Sequence, residues 1–436
     1  MNSYGNKDMK TLNLLVVCTM FSTAPLFGQR QKPEPLYDEA QVPAYTLPAL
    51  LITEKGKAVK DVTQWENKRR AEILKSFSEQ VYGKTPGKKV LLNFEQQSVD
   101  EQALGGKATR KQVRIFFGKE KSRHMDLLLY LPNHVTGPVP VFLGLNFTGN
   151  QTIHADPGIL ISTRQTRYGN DPGYRDGYAT EASRGLRARR WPVEEILSRG
   201  YGLATVYYGD IQPDQPGTFN QGVHQLFFKR GQEAPAEDEW GAIGAWAWGL
   251  SRAMDYLVQE PGVNPRQVCV LGHSRLGKAA LWAGAQDSRF AVVISNNSGE
   301  GGAAITRRKF GETIQAINDR FPHWFCGNYK QYNNREDQLP VDYHQLIALI
   351  APRPVYVASA VEDRWADPKG EYLSLYHAGP VFRLYGLRPL EDPEPPGLER
   401  PVYTEVNGYH LRNGKHDILL YDWSNYMDFA DRVFGR

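Results

Sequence analysis

The stretch Val268-Cys269-Val270-Leu271-Gly272-His273-Ser274-Arg275-Leu276-Gly277-Lys278-Ala279-Ala280-Leu281-Trp282 decides the fold. Val268 to Leu271 is a short apolar run rich in β-branched residues and reads as a buried strand. Lys278 to Ala285 is rich in Ala and Leu and reads as a helix. Between them, Gly272-His273-Ser274-Arg275-Leu276-Gly277 puts a serine in a sharp turn flanked by small residues. Such a turn lifts the hydroxyl to the end of the sheet, beside a helix N-terminus, as a nucleophile elbow does. The spacing is Gly-x-Ser-x-x-Gly rather than the commoner Gly-x-Ser-x-Gly. The plainer alternative is a serine that caps the helix after a buried strand. The strand before, the helix after and a histidine late in the chain favour the elbow.

Upstream, Val62 to Tyr82 carries Trp65, Ile73, Leu74, Phe77 and Val81 at helical spacing, and stops at Gly83, Pro86 and Gly87. Strand-like runs follow over Val90–Phe94, Lys111–Phe117, Met125–Leu131 and Val139–Leu145, punctuated by Pro132 and Gly137-Pro138. Asn146 to Arg190 is rich in Gly, Asp, Arg and Thr and has no period. A long stretch of that kind is functional or disordered. Here it follows a strand end, the place of a hydrolase's oxyanion-side loop. A helix over Val193–Arg199, a strand over Gly202–Tyr207 and a helix over Trp240–Val258 lead to the elbow.

Beyond the elbow, strands are expected over Ala291–Ser295, Pro354–Ala358 and Tyr403–Leu411, and helices over Tyr343–Ile350 and Tyr421–Phe434. Asn296–Pro340 is an insertion expected to form a lid or pocket wall. Strands alternating with helices imply a mainly parallel sheet covered on both faces. The expectation is an α/β-hydrolase fold, an α-β-α sandwich. It forms one catalytic domain over 49–436 with the insertion at about 296–340.

Residues 1–28 read as a cleaved secretory signal: Lys7 and Lys10, then an apolar stretch from Leu12 to Phe27, then small residues near Ala24 and Gly28. The apolar core is too short and interrupted to span a membrane. Cys18 follows Val17, larger than the small residue usual before a lipid-attachment cysteine. Residues 29–48 are polar and Pro-rich, an extended or mobile lead-in. The expected location is therefore secreted or periplasmic. Fifty-two basic against 48 acidic residues give +4, too balanced to point to nucleic acid. An apolar content of 41% is ample for a large core. Nine Trp and 23 Tyr suit a carbohydrate site but fill cores equally well. With the signal removed, Cys269 and Cys326 make no disulfide framework. No metal or cofactor is expected, and the chain is expected to be a monomer.

A serine hydroxyl is a poor nucleophile until a base takes its proton and an acid orients that base. In this fold the order along the chain is Ser, acid, His. His377, His410 and His416 follow a late acid. His416, in Gly414-Lys415-His416-Asp417 between the last strand and the last helix, stands where the base belongs. His410 falls in a strand and His377 in a helix, which are structural places. Asp363, in Ala360-Val361-Glu362-Asp363 after a strand, leads as the acid, and the adjacent Glu362 would point elsewhere. Arg275 beside Ser274 could donate to an oxyanion together with backbone N–H groups, or pair with a surface carboxylate. Lys278 lies one turn on, on the same helix face. It could reach an anionic or hydroxylated substrate, or be solvated.

With these residues placed, the sequence resembles the glucuronoyl esterases, carbohydrate esterase family 15, its bacterial members above all. Their elbow, Gly-Cys/His-Ser-Arg-x-Gly-Lys, is matched by Gly272 to Lys278. Further matches are Leu143-Gly144-Leu145-Asn146-Phe147, Trp240-Gly241-Ala242-Ile243 with Ala245-Trp246, and Ser298-Gly299-Glu300-Gly301-Gly302. Phe321-Pro322-His323-Trp324-Phe325 and Asp363-Arg364-Trp365-Ala366-Asp367-Pro368 complete the set. The resemblance implies cleavage of the ester joining 4-O-methyl-glucuronic acid on xylan to a lignin alcohol. It implies Ser274 as nucleophile, His416 as base and Arg275 as oxyanion donor, with Lys278, Glu312 and Trp365 at the sugar. Alone, Glu312 would read as an acid at a helix start, and Trp365 as core. The chain departs from the family once. Many members carry the triad glutamate after the strand that follows the elbow helix, where this chain has Asn297. Some bacterial members place an acid after the later strand, which fits Asp363; Glu300 is the other alternative. The rival readings are an acetyl-xylan or other carbohydrate esterase of the same fold, and a non-catalytic carbohydrate-binding relative.

Overall fold

A computed structural model describes residues 34–436, so the signal expected over 1–28 lies outside the described residues. In chain order the strands are β1 (Leu92–Ala103), β2 (Ala108–Phe117), β3 (Arg123–Pro132), β4 (Val139–Asn146), β5 (Tyr174–Arg175), β6 (Tyr178–Ala179), β7 (Gly202–Tyr207), β8 (Val263–His273), β9 (Val292–Asn296), β10 (Val355–Ala360), β11 (Val402–Tyr403) and β12 (Asn407–Arg412). Ten of them form one sheet in the order β1-β2-β3-β7-β4-β8-β9-β10-β12-β11, and β5 pairs with β6 apart from it. From β7 to β12 all neighbours run parallel, while β1, β2, β3 and the edge strand β11 are antiparallel. This is the α/β-hydrolase architecture.

The parallel strands are apolar on both sides because helices cover both faces. Along β8, Val268 and Val270 enter one core with Trp65, Trp246 and Trp282, while Cys269 and Leu271 enter the other with Trp423 and Tyr356. One residue of register would exchange these two sets. The elbow strand is thereby fixed in register, and with it the height of Ser274.

Two strands differ from expectation. The first, expected over Val90–Phe94, is β1, which runs on through the polar stretch Glu95–Asp100. As an edge strand it is half-solvated, so polar residues suit it and conceal it. The single strand expected over Tyr403–Leu411 is two, β11 and β12, paired antiparallel. Thr404 Oγ1 accepts from the N–H groups of Val406 (3.2 Å) and Asn407 (2.9 Å) and so reverses the chain between them.

The described part of the lead-in is tied to the body. Leu36 pairs with Phe310, Glu39 meets Arg308 at 2.5 Å, and Arg364 donates to the carbonyl of Tyr37 while lying 5.0 Å over its ring. The insertion over 296–340 is also built into the body. Ile314, Ile317, Trp324, Phe325 and Tyr329 are buried in the main core. No helix among the described residues is long and apolar enough to cross a membrane.

Candidate active site

Ser274 ends β8 and begins the helix Arg275–Gln286 with φ 59° and ψ −131°, in the half of conformational space that side chains avoid. Such a residue costs on the order of 1–3 kcal/mol and persists only where its surroundings fix it. Here Ser274 N–H donates to Asn296 O (2.8 Å), and Gly277 N–H to Ser274 O (2.8 Å). The turn is too tight for a side chain at Gly272, where a Cβ would lie 1.9 Å from Leu276 O.

Asp363 follows β10 and His416 follows β12, neighbouring parallel strands, so both loops rise at the same end of the sheet as the elbow. His416 Nδ1 lies 2.6 Å from Asp363 Oδ2. The same oxygen accepts from Asn297 Nδ2 at 2.8 Å. Asp363 is 6% exposed while the His416 side chain is 43% exposed, so the carboxylate is shielded and the imidazole reaches solvent. With Nδ1 turned to the carboxylate, Nε2 is the nitrogen free to take a proton. Asn297 sits at φ 45° with its Oδ1 buried and without a hydrogen-bond partner among the described residues. Glu362 is exposed. Glu300 is buried elsewhere, accepting from Tyr329 (2.6 Å) and Thr306 (2.6 Å), and burial pushes its carboxyl up to about 8.

The loop bearing His416 is held from beneath. Arg412, buried at the end of β12, donates to the carbonyls of Asn413 (2.8 Å), Lys415 (2.7 Å) and Asp417 (2.6 Å), and to Asp422 (3.0 Å). Asp422 also meets His410 Nε2 (2.8 Å) and Asn296 Nδ2 (3.2 Å). Asn296 Oδ1 holds His273 Nδ1 at 2.6 Å, and the His273 ring lies 4.5 Å from that of His416. His410 is thus a structural histidine within the sheet. His377 ends the helix Pro368–His377. Neither belongs to the His416–Asp363 pair.

Arg275 points its guanidinium over Trp324 (4.7 Å), Phe321 (5.4 Å) and Phe147 (5.5 Å), and its Nη1 donates to Asp214. Burial works against its charge, but the Asp214 carboxylate together with Tyr168 and Tyr208 raises its pKa on balance. Ser274, Arg275, His273 and His416 line one cleft of about 320 Å³, walled by Phe147, Tyr168 and Arg187 from the aperiodic 146–190 stretch. A larger groove of about 700 Å³ lies between the 388–396 loop and β11 and holds none of these residues.

Lys278 is buried one turn along the elbow helix, and its Nζ donates to the carbonyls of Ser298 and Glu300. Burial lowers its pKa against the pull of Glu312; burial raises that of Glu312 against the pull of Lys278 and a hydrogen bond from Trp365. Desolvation outweighs attraction for both groups, leaving a site that gains from polar partners. Glu312 N–H donates to Trp365 O at 2.9 Å. Trp365 is half-buried, with a ring contact to Arg320 at 5.4 Å, rather than core.

A serine held on a strained turn, an imidazole oriented by a carboxylate and a guanidinium beside them are the groups that acyl transfer uses. A model of the glucuronyl esterases of fungi matches residues 204–386. A carbohydrate esterase from an unknown prokaryotic organism is 49% identical over 420 residues, 96% of each chain. The solved structure of a glucuronoyl esterase from Solibacter usitatus superimposes with TM-score 0.86 at 53% identity, covering 91% of this chain and 100% of that one. The chain belongs to the glucuronoyl esterase family, carbohydrate esterase family 15. It is a carboxylic ester hydrolase. A 4-O-methyl-glucuronoyl methylesterase of Wolfiporia cocos is 30% identical over 273 residues, 59% of this chain and 64% of the relative.

For this glucuronoyl esterase, sequence reasoning brought out the residues that carry a motif and missed those that hold them. Asp214, Arg412, Asp422 and Asn296 were not singled out. A faint signal existed for one: Asp214 stands in Gln212-Pro213-Asp214-Gln215-Pro216 just after a strand end, where site loops lie.

Proposed function

We propose that this protein hydrolyses esters of glucuronic acid, including its 4-O-methyl form on glucuronoxylan, releasing an alcohol of the lignin type. The observation that carries the reading is the Asp363–His416 pair at 2.6 Å, whose His416 lines one cleft with Ser274 and Arg275. Ser274 Oγ attacks the uronate carbonyl carbon while His416 Nε2 takes its proton. Asp363 stabilises the imidazolium. Arg275 and the N–H groups at the helix start donate hydrogen bonds to the oxyanion and stabilise its charge. Collapse breaks the bond to the alcohol oxygen, which leaves with the proton from His416. Water, deprotonated by His416, then attacks the acyl-enzyme; the bond from the acyl carbon to Ser274 Oγ breaks, Ser274 Oγ takes the proton back from His416, and the uronate is freed.

Lys278, Glu312 and Trp365 are the sugar-side groups: a cation and a carboxylate for hydroxyls, and an aromatic face for the ring. An acetyl ester would use none of them. The apolar segment at 1–28 supports export, to the periplasm or the medium.

The test is turnover of benzyl glucuronate against acetylated xylan. We expect the uronate ester to be preferred, Ser274→Ala to lose at least about 10⁴-fold in kcat, and Asp363→Asn about 10²- to 10⁴-fold. Activity of Asp363→Asn equal to the parent would sink the acid assignment. A preference for acetylated xylan would sink the substrate class.

A further inference from the structure

We propose that Asp214 is a positioning residue for the ester reaction, fixing the Arg275 guanidinium so that its remaining N–H groups meet the oxyanion. The proposal rests on the oxyanion role given to Arg275 above.

Asp214 lies 61 residues before Arg275 in the chain, and its side chain is 0% exposed. Its Oδ1 accepts from His323 Nε2 (2.8 Å) and Trp324 Nε1 (2.7 Å), both in the insertion. Its Oδ2 accepts from Arg167 Nη1 (2.7 Å), Tyr208 OH (3.0 Å) and Arg275 Nη1. A carboxylate offers about four lone-pair positions, so these donors saturate it. Burial would push its pKa up, yet the His323 hydrogen bond and the charges of Arg275 and Arg167 hold it well below the usual carboxylate range. It is therefore held in its ionised form beside the two guanidinium groups.

Two features separate positioning from plain neutralisation. The cluster has two guanidinium groups and one carboxylate, so one positive charge survives beside the cleft. The carboxylate also ties Arg275 to its own wall. Phe321 and Trp324 stack at 3.7 Å with planes 2° apart, Arg275 lies over both, and Trp324 donates to the oxygen beside the one Arg275 uses. An arginine held by one edge and one face loses little freedom on meeting a further acceptor. Its Nε is buried and has no partner among the described residues. An orphaned buried donor is costly until an acceptor arrives. Nη2 is not enclosed and makes no hydrogen bond to a described residue, so an oxyanion forming only in the transition state would meet the arginine there.

A double-mutant cycle on benzyl glucuronate tests this. Arg275→Ala should lower kcat/KM by about 10²- to 10³-fold. Asp214→Asn should lower kcat by about 10- to 100-fold, the range for supporting groups, with KM and the binding of free glucuronate little changed. Adding Asp214→Asn to Arg275→Ala should cost less than about twofold more, because the group being positioned is gone. If Asp214→Asn costs as much in the Arg275→Ala background as in the parent, its role is only structural and the proposal fails. If Arg275→Ala is as active as the parent, the oxyanion reading itself falls, and this inference with it. Should Asp214→Asn not fold, Tyr208→Phe removes one O–H from Oδ2. A kcat loss of a few fold in the parent but not in Arg275→Ala supports the proposal, and no loss in the parent overturns it.

Discussion

Replacing Arg412 with Met removes a buried guanidinium while keeping most of its bulk. Three carbonyl oxygens of the 413–417 loop lose their donor, and Asp422 loses a cation at 3.0 Å. Breaking a buried pair from one side costs about 3–5 kcal/mol. Asp422 keeps Leu419 N–H (2.7 Å), His410 (2.8 Å) and Asn296 (3.2 Å), so the lower part of that range applies. At about 2.1 cal/mol/K of unfolding entropy per residue and roughly 400 residues, 3 kcal/mol lowers the thermal midpoint by about 4 °C. The effect on activity is larger in proportion. The loop would retain the His416–Asp363 contact and the Glu362 N–H bond to Gly414 O (3.1 Å) as local ties. A shift of about 1 Å in a catalytic group costs on the order of 10²-fold. Calorimetry and benzyl glucuronate kinetics, run well below the midpoint, should thus show a mild loss of stability and a large loss of kcat. A midpoint drop of that size with kcat unchanged would refute the reasoning, since Asp363 alone would then suffice to hold His416.

Gly272→Ala should abolish turnover or folding, because a Cβ 1.9 Å from Leu276 O forces the first helical turn away from β8; kcat within threefold of the parent would contradict this. Burial pushes Glu371 up from 4.5 to about 8, even as it accepts from Ser298 N–H, Gly299 N–H and Ser359 Oγ. Between those two pH values the folded chain keeps a proton that the unfolded chain has released, so stability falls as pH rises through that window. Glu371→Gln, which mimics the protonated form, should flatten that fall in thermal midpoint, and an unchanged slope would remove Glu371 from its cause.

What could be read in the sequence was what is local. β8, β9 and β10 declared themselves as apolar runs, and the elbow as a strand, a glycine-flanked serine and a helix within one stretch. His416 was legible because it lies in the loop after the last strand. Long-range contacts were not legible. Asp214 looks like any loop acid until His323 and Trp324, more than 100 residues later, close over it. Arg412 looks like a strand-end surface cation until the loop folds back over it. Asn297 read as a vacancy in the triad, and the structure sets its amide on the carboxylate of Asp363 instead. The polar β1 was hidden because pairing with β2, rather than its own composition, makes it a strand.

The first described turn of the chain has a practical consequence. Gly311 N–H donates to Leu36 O at 2.8 Å, Glu39 holds Arg308, and Tyr37 carries Arg364. Glu312 and Trp365 are the next residues after Gly311 and Arg364, so this short strap braces both from behind. A shortened recombinant chain should therefore begin no later than Pro35. A cut made a few residues later would leave the elbow whole and its cleft intact yet unbrace Glu312 and Trp365, so on their proposed sugar-side role KM for a glucuronate ester should rise while kcat holds.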